Sequence, residues 1–309
     1  MDTFLTDLAR LLSLQDANTR TVLLGTGTLG LAAGVVGCFA TLRRRALLGD
    51  AIAHAALPGI CLAFLVVGSR SFPAFMLGAL ILGAFSAGVI AMVRAYTRVK
   101  EDAAIGIVIG SFFGLGVVLS SMIQKRPGGA VAGLDGFIFG KAASMTSADA
   151  IATSLVAGAC LLVVAALYKE FKALCFDREF AASQGWPAVA LDLIIMALVC
   201  ACTVAGLPAV GVVMVVALLI IPGAAARCWT DRLGVMLLLA GLFGLGAAVI
   251  GAALSATLPA PPGSLSRGWP TGPLIVLSAA AAFLFSAVFA PRRGLIARLL
   301  AHRTEIVAP

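Results

Sequence analysis

The stretch RRRALLGDAIAHAALPG, residues 43–59, sets three arginines against an apolar run that carries Asp50, His54 and Pro58 at four-residue intervals. The apolar character continues to Gly68, so the run from Leu48 is long enough to cross a hydrocarbon core about 30 Å thick at 1.5 Å per residue. Arg45 then marks a membrane interface, with Asp50 roughly 8 Å inward and His54 roughly 14 Å, near the middle of the core. Residues four apart share a helix face, which lets the carboxylate and the imidazole point together. Pro58 lacks an N–H, so the His54 carbonyl loses its usual partner and is free for water, an ion or a kink, with Gly59 beside it.

The rest of the chain is of the same kind. Of 309 residues, 61% are hydrophobic and 12% charged, with a mean hydropathy of +1.09, outside the balance of a soluble domain. Hydropathy with Gly, Pro and charge punctuation predicts spans near 21–42, 48–68, 72–94, 104–123, 147–168, 187–205, 208–226, 233–257 and 273–290. The expected fold is an all-α polytopic membrane protein of about nine transmembrane helices. Eight remain possible, because only AGLPAVG (205–211) divides the sixth span from the seventh and a re-entrant hairpin is the alternative. Residues 1–20 are expected to form an amphipathic lead-in, since they lack the basic-then-apolar order of a cleaved signal peptide. Residues 21–290 form a single transmembrane domain, and 291–309 a basic cytoplasmic tail.

A net charge of +8 would suit nucleic acid, but the basic residues belong to the topology. The loops on the Arg43–Arg45 side also collect Arg94, Arg98, Lys100, Lys169, Lys172, Arg178, Arg227, Arg232, Arg292, Arg293, Arg298 and Arg303, which by the positive-inside rule puts the N-terminus outside and the C-terminus inside. The seven cysteines are mostly embedded in apolar runs without a CxxC pair and read as small core residues. Small-residue pairs such as Gly30 with Gly34, and Gly110 with Gly114, would allow close helix approach.

Charged side chains inside a span cost a few kcal/mol or more, so each asks for a reason. Asp149 and Asp192 lie near span ends, where an interfacial or capping role suffices. Two readings of Asp50 and His54 stay open. In one, Asp50 caps the helix or pairs with the nearby arginines while His54 bonds to a neighbouring helix; in the other, they form a transient stop for a divalent cation, since oxygen with imidazole suits Mn, Fe or Zn. Hydrolytic chemistry finds little support. In GLDGFIFGKAASM (133–145), Asp135 and Ala142 stand where a phosphate loop needs glycine and Ser/Thr, and no Ser–His–Asp or HExxH spacing occurs.

LLGDAIAHAALPGICLAF (47–64), AGLDGFIFGKAASM (132–145), LCFDREFAASQG (174–185) and PGAAARCWTDRLGVMLLL (222–239) together resemble the membrane permeases of bacterial ABC importers for manganese, zinc and iron, over residues 15 to 300 or so. The wording of 132–145 is more like the manganese or iron branch. The resemblance implies an architecture similar to the ten-helix cobalamin and siderophore permeases less their first helix. It implies residence in the bacterial inner membrane and a transport subunit that is not itself an enzyme. It also implies as partners an ATP-binding cassette ATPase, an extracytoplasmic metal-binding protein, a second permease (identical or paralogous) and membrane lipid. No cofactor is implied beyond the transported metal. Carried over by position, Asp50 and His54 would line the path and hold metal. Pro58 and Gly59 would kink its helix, and Phe176, Asp177, Ala181 and Gly185 would lie in a coupling segment, about 174–187, that docks on the ATPase. REFAASQG is short, amphipathic, flanked by basic residues and followed by Pro187, as such a segment requires. Cys228 beside Trp229 departs from the pattern and reads as packing. The alternative function is a proton-coupled secondary metal transporter or channel, in which Asp50 and His54 relay protons.

Overall fold

The computed structural model describes residues 17–43, 45, 47–69, 71–125, 145–258 and 269–296. Residues 1–16 of the lead-in, the 133–144 segment and the tail beyond 296 lie outside the described residues, and residues 17–20 of the lead-in belong to the first helix. Those described form helices α1 (Ala17–Leu42), α2 (Leu48–Val67), α3 (Phe72–Tyr96), α4 (Glu101–Gln124), α5 (Ser147–Ala166), α6 (Tyr168–Phe176), α7 (Arg178–Ser183), α8 (Ala188–Val210), α9 (Val212–Trp229), α10 (Leu233–Thr257) and α11 (Thr271–Phe289). Among these residues, eight helices are long and apolar enough to cross a bilayer.

Helix boundaries follow local chemistry. Gly68, at φ 71°, ends α2 and donates its N–H to the Phe64 carbonyl, a left-handed stop that glycine adopts without strain. Thr146 and Asp149 form a reciprocal capping box at the start of α5, so Asp149 takes the capping role expected of it. Gly211, at φ 94°, divides α8 from α9. The predicted division at 205–211 therefore falls at its last residue, because Pro208 is tolerated within the final turn of α8. The 18-residue α9 runs from end to end of the bundle. Val210, just before its start, packs against Gly272 of α11, whereas Asp231, just beyond its end, pairs with Arg292 and Arg293. A re-entrant hairpin would return both ends to one side, so the geometry favours the crossing.

Lipid supplies no hydrophobic drive for helix association, so backbone approach and polar contacts hold the bundle together. The central helix is α1, packed by α5, α8, α9 and α10. A Cβ on Gly30 would strike the Gly244 carbonyl, one on Gly34 the Ala240 carbonyl, and one on Gly37 the Leu219 carbonyl. Glycine is what lets these backbones touch. Thr28 and Ser154 add a 3.0 Å hydroxyl bond between α1 and α5. A second group forms where α2 meets α3 through Gly59 and Gly78, and α4 through Gly116 against Leu57 and Pro58. Gly110 and Gly114 behave differently from Gly30 and Gly34: they face open space, where an added Cβ would meet nothing within 4 Å. All seven cysteines are free; the thiol of Cys228 donates back to the Ala224 carbonyl at 3.5 Å.

Asp231 links the α9–α10 turn to the residues after α11. Hydrogen bonding from Arg292, with the charge of Arg293 beside it, holds the Asp231 carboxyl below the usual carboxylate range. A depressed native value means that the contact contributes wherever the carboxylate is ionised and is lost as pH falls through that lowered value. Hydrogen-exchange protection of residues 292–296, corrected for the intrinsic pH dependence of amide exchange, should therefore stay unchanged from neutral pH down to about 4 and fall only below it; a loss already at about pH 6 would exclude this link.

Candidate functional site

Helix α2 brings Asp50 and His54 together. Asp50 lies in its first turn, but the position before the helix, Leu47, carries no side-chain cap. The nearest imidazole nitrogen, Nε2 of His54, lies 3.4 Å from Asp50 Oδ1, and the His54 and Asp50 side chains are 19% and 33% exposed. The other nitrogen, Nδ1, is buried with no hydrogen-bond partner among the described residues. Phe113 of α4 meets the imidazole edge to face, with ring centroids 5.0 Å apart. An aromatic wall on one side and a carboxylate on the other fix the ring, leaving the Asp50 oxygens and Nε2 as donors. The described arginines at the helix entrance turn elsewhere. Of the two open readings of Asp50, helix capping is thus not what the structure contains.

Pro58 is buried within α2, which continues through it as one helix. Pro58 and Leu57 pack on Gly116 of α4, while Gly59 meets Gly78 of α3. This close packing fixes the inner side of α2, while Asp50 and His54 stay partly exposed. The neighbouring surface of α4 is exposed at Gly106, Gly110, Ser111 and Gly114. Among the described residues no group of three or more His, Cys, Asp or Glu side chains could hold a metal ion.

The segment predicted to couple the chain to an ATPase is a pair of short helices joined at Asp177. Asp177 ends α6 and caps α7, its Oδ1 accepting from the N–H of Glu179 at 2.9 Å and of Phe180 at 3.0 Å. Ala181 is fully buried, while Phe176 and Phe180 are 64% and 53% exposed. Gly185 adopts φ 83°, a turn that lets the Trp186 N–H reach the Ala181 carbonyl at 3.2 Å. The result is a short projection with two uncovered phenyl rings on a rigid base.

Asp192 exceeds the interfacial role expected of it. It is 5% exposed and accepts from Arg43 Nη2 at 2.8 and 3.0 Å. Arg45 lies at 3.6 Å and Arg178 of α7 at 3.9 Å. Arg45 also reaches Glu101 at 3.2 Å, and Arg94 reaches the same carboxylate at 3.0 Å. Burial pulls the Arg45 guanidinium down from its ordinary value, opposed by Asp192 and then Glu101. Arg43 further donates to the Leu174 carbonyl at 3.0 Å. A cleft of about 300 Å³ opens beside the cluster between α3 and α8. Along the sequence these arginines read as topology markers alone. A polar residue two turns or less inside a span, opposite an arginine run, is the available signal for Asp192; nothing local points to Phe113 or Glu101 as partners. Removing the carboxylate in Asp192→Ala leaves Arg43 and Arg45 buried without their shared acceptor, a change worth roughly 3–5 kcal/mol. Thermal unfolding of the purified protein in detergent should register a large drop; an unaltered midpoint would show the cluster to be incidental.

These features define a polytopic helical membrane protein. The sequence matches the profile of the ABC 3 transport family over residues 15–290, and the chain belongs to that family. It is 43% identical over 94% of its length to the manganese transport system membrane protein MntC of Bacillus subtilis (strain 168), of which it covers 65%. Its span is thus somewhat under two thirds of that relative. It is 42% identical to the zinc transport system membrane protein TroC of Treponema pallidum (strain Nichols), over 93% of this chain and 94% of TroC. In solved structures, PsaBC from Streptococcus pneumoniae in complex with Fab superposes at a TM-score of 0.80 with 30% identity, over 96% of this chain and 99% of that one. A metal-chelate type ABC transporter in an inward-facing conformation shares the fold, with a TM-score of 0.67 at 17% identity over 87% and 85% of the two chains.

Proposed function

We propose that this chain is the permease subunit of an ATP-binding cassette importer that carries a divalent transition metal, manganese or iron in preference and zinc as a third cargo, into the cytoplasm. The observation that carries the reading is the Asp50–His54 pair, a carboxylate and an imidazole 3.4 Å apart on a spanning helix, whose donor set suits those ions. Manganese and zinc are the metals in the names of MntC and TroC. Two donors from one chain hold a metal weakly, which suits passage because a transported ion must leave as readily as it enters. Both stay partly exposed on α2, so a second permease, identical or paralogous, completes the path. The exposed Phe176 and Phe180 on the α6–α7 projection, set by Asp177, Ala181 and Gly185, support docking to a separate ATPase. An extracytoplasmic metal-binding protein delivers the cargo at the opposite end. The chain sits in the bacterial inner membrane with its N-terminus outside and its C-terminus inside.

The test is uptake of radioactive manganese, with iron and zinc as competitors, into vesicles holding the chain with its ATPase and binding protein. Uptake should require ATP and survive collapse of the proton gradient. Uptake that persists without the ATPase but stops with the gradient would instead establish the proton-coupled alternative.

A further inference from the structure

From the cluster around Asp192 we infer a mechanical link: Arg178, Asp192 and Arg45 form a relay that positions the metal-path helix α2 according to the posture of the ATPase-docking segment α7. This rests on the permease reading above and adds residues to it. Asp192 is shared by three arginines on three different pieces of chain: Arg43 at the end of α1, Arg45 in the turn that leads into α2, and Arg178 on α7. Arg45 stands five residues before Asp50, on the connection that sets where α2 begins. A displacement of α7 is therefore transmitted to the entrance of the metal path through one buried carboxylate.

The distances assign a different role to each arm. Arg43 holds Asp192 at 2.8 Å and is 15% exposed, so it is the anchor. Arg45 is 10% exposed and is shared between Asp192 and Glu101, so it follows either carboxylate. Arg178 sits at the outer limit of ion pairing, 3.9 Å, and is 46% exposed. A contact at that distance is the one most readily made or broken when α7 is pressed or released. The cluster's described members comprise four arginines, Arg94 included, and two carboxylates. Moving Arg178 away removes one of the excess positive charges around Asp192 and strengthens its hold on Arg45, by the ordinary competition of cations for one anion. Arg45, Asp192 and Arg178 are positioning residues that act on the Asp50–His54 pair only through α2.

The decisive experiment compares Arg178→Ala, Arg178→Lys and Arg94→Ala in the full complex with ATPase and binding protein, measuring metal uptake and ATP hydrolysis in the same vesicles. Arg178→Ala should hydrolyse ATP at half the unaltered rate or better while moving about tenfold less metal per ATP. Arg178→Lys, which keeps the charge, should recover most of the coupling. Arg94→Ala removes the competitor of Arg45 for Glu101, draws Arg45 toward that carboxylate and away from Asp192, and should lower metal moved per ATP several-fold. Uptake and hydrolysis falling in proportion in Arg178→Ala would overturn the relay in favour of simple docking. An unaltered stoichiometry in Arg178→Ala or in Arg94→Ala would overturn it as well. Absence of ATP-dependent uptake by the unaltered complex would defeat the transport reading itself, a separate outcome.

Discussion

Asp50→Ala and His54→Ala should each lower metal uptake by about 100-fold at equal membrane abundance, the effect of losing roughly 3 kcal/mol from a partly buried charged contact. The two losses should not add, since either change leaves a single donor where the ion needs both. Asp50→Asn keeps the shape but removes the charge, and should resemble Asp50→Ala more than the unaltered chain. ATP hydrolysis stimulated by the binding protein should survive in all three, because the described partners of these side chains are each other and Phe113, not α7. Full uptake by both alanine variants would remove Asp50 and His54 from the path and leave the pair a structural contact.

The other large effect concerns folding. Gly37→Val should abolish accumulation of the protein in the membrane, because the new side chain would overlap the Leu219 carbonyl where α1 crosses α9. Backbone is the obstacle there, so no rotamer change relieves it, and overpacking of this sort costs about 1–3 kcal/mol or more. Gly110→Val is the matched control, since open space surrounds Gly110. It should leave abundance unaltered in the single chain, and membrane fractions probed by immunoblot would show the contrast. Equal accumulation of Gly37→Val and the unaltered chain would mean that α1 is not packed as described.

The contrast between those two glycines also shows where sequence reading stops. Hydropathy identifies the spans to within a few residues, because an uninterrupted apolar run in a membrane has few other fates. The four-residue spacing of Asp50 and His54 survives as a contact on one helix face, while Pro58 is buried against Gly116. Gly30 with Gly34 and Gly110 with Gly114 look alike along the chain, yet only the first pair touches another backbone, since which face of a helix is covered depends on neighbours distant in sequence. Asp192 is hidden for the same reason. Its three arginines come from positions 43, 45 and 178, and charge patterning within one segment cannot reveal a partner brought in by the fold. Phe113 is a further case, for nothing about a phenylalanine on α4 announces that it will cover the imidazole of His54.

The small residues of this bundle carry one more consequence. Where α1 crosses α9 and α10, backbone meets backbone at Gly30, Gly34 and Gly37, and where α2 crosses α3 it does so at Gly59 and Gly78. Between these two groups the contacts run through side chains instead, as where Gly83 of α3 faces the thiol of Cys200 on α8. Interlocked main chains leave nothing to slide on, whereas side chains exchange rotamers and yield. The bundle thus has backbone-locked crossings within each group and side-chain contacts where the groups meet, with the arginine cluster bridging the two groups at one end.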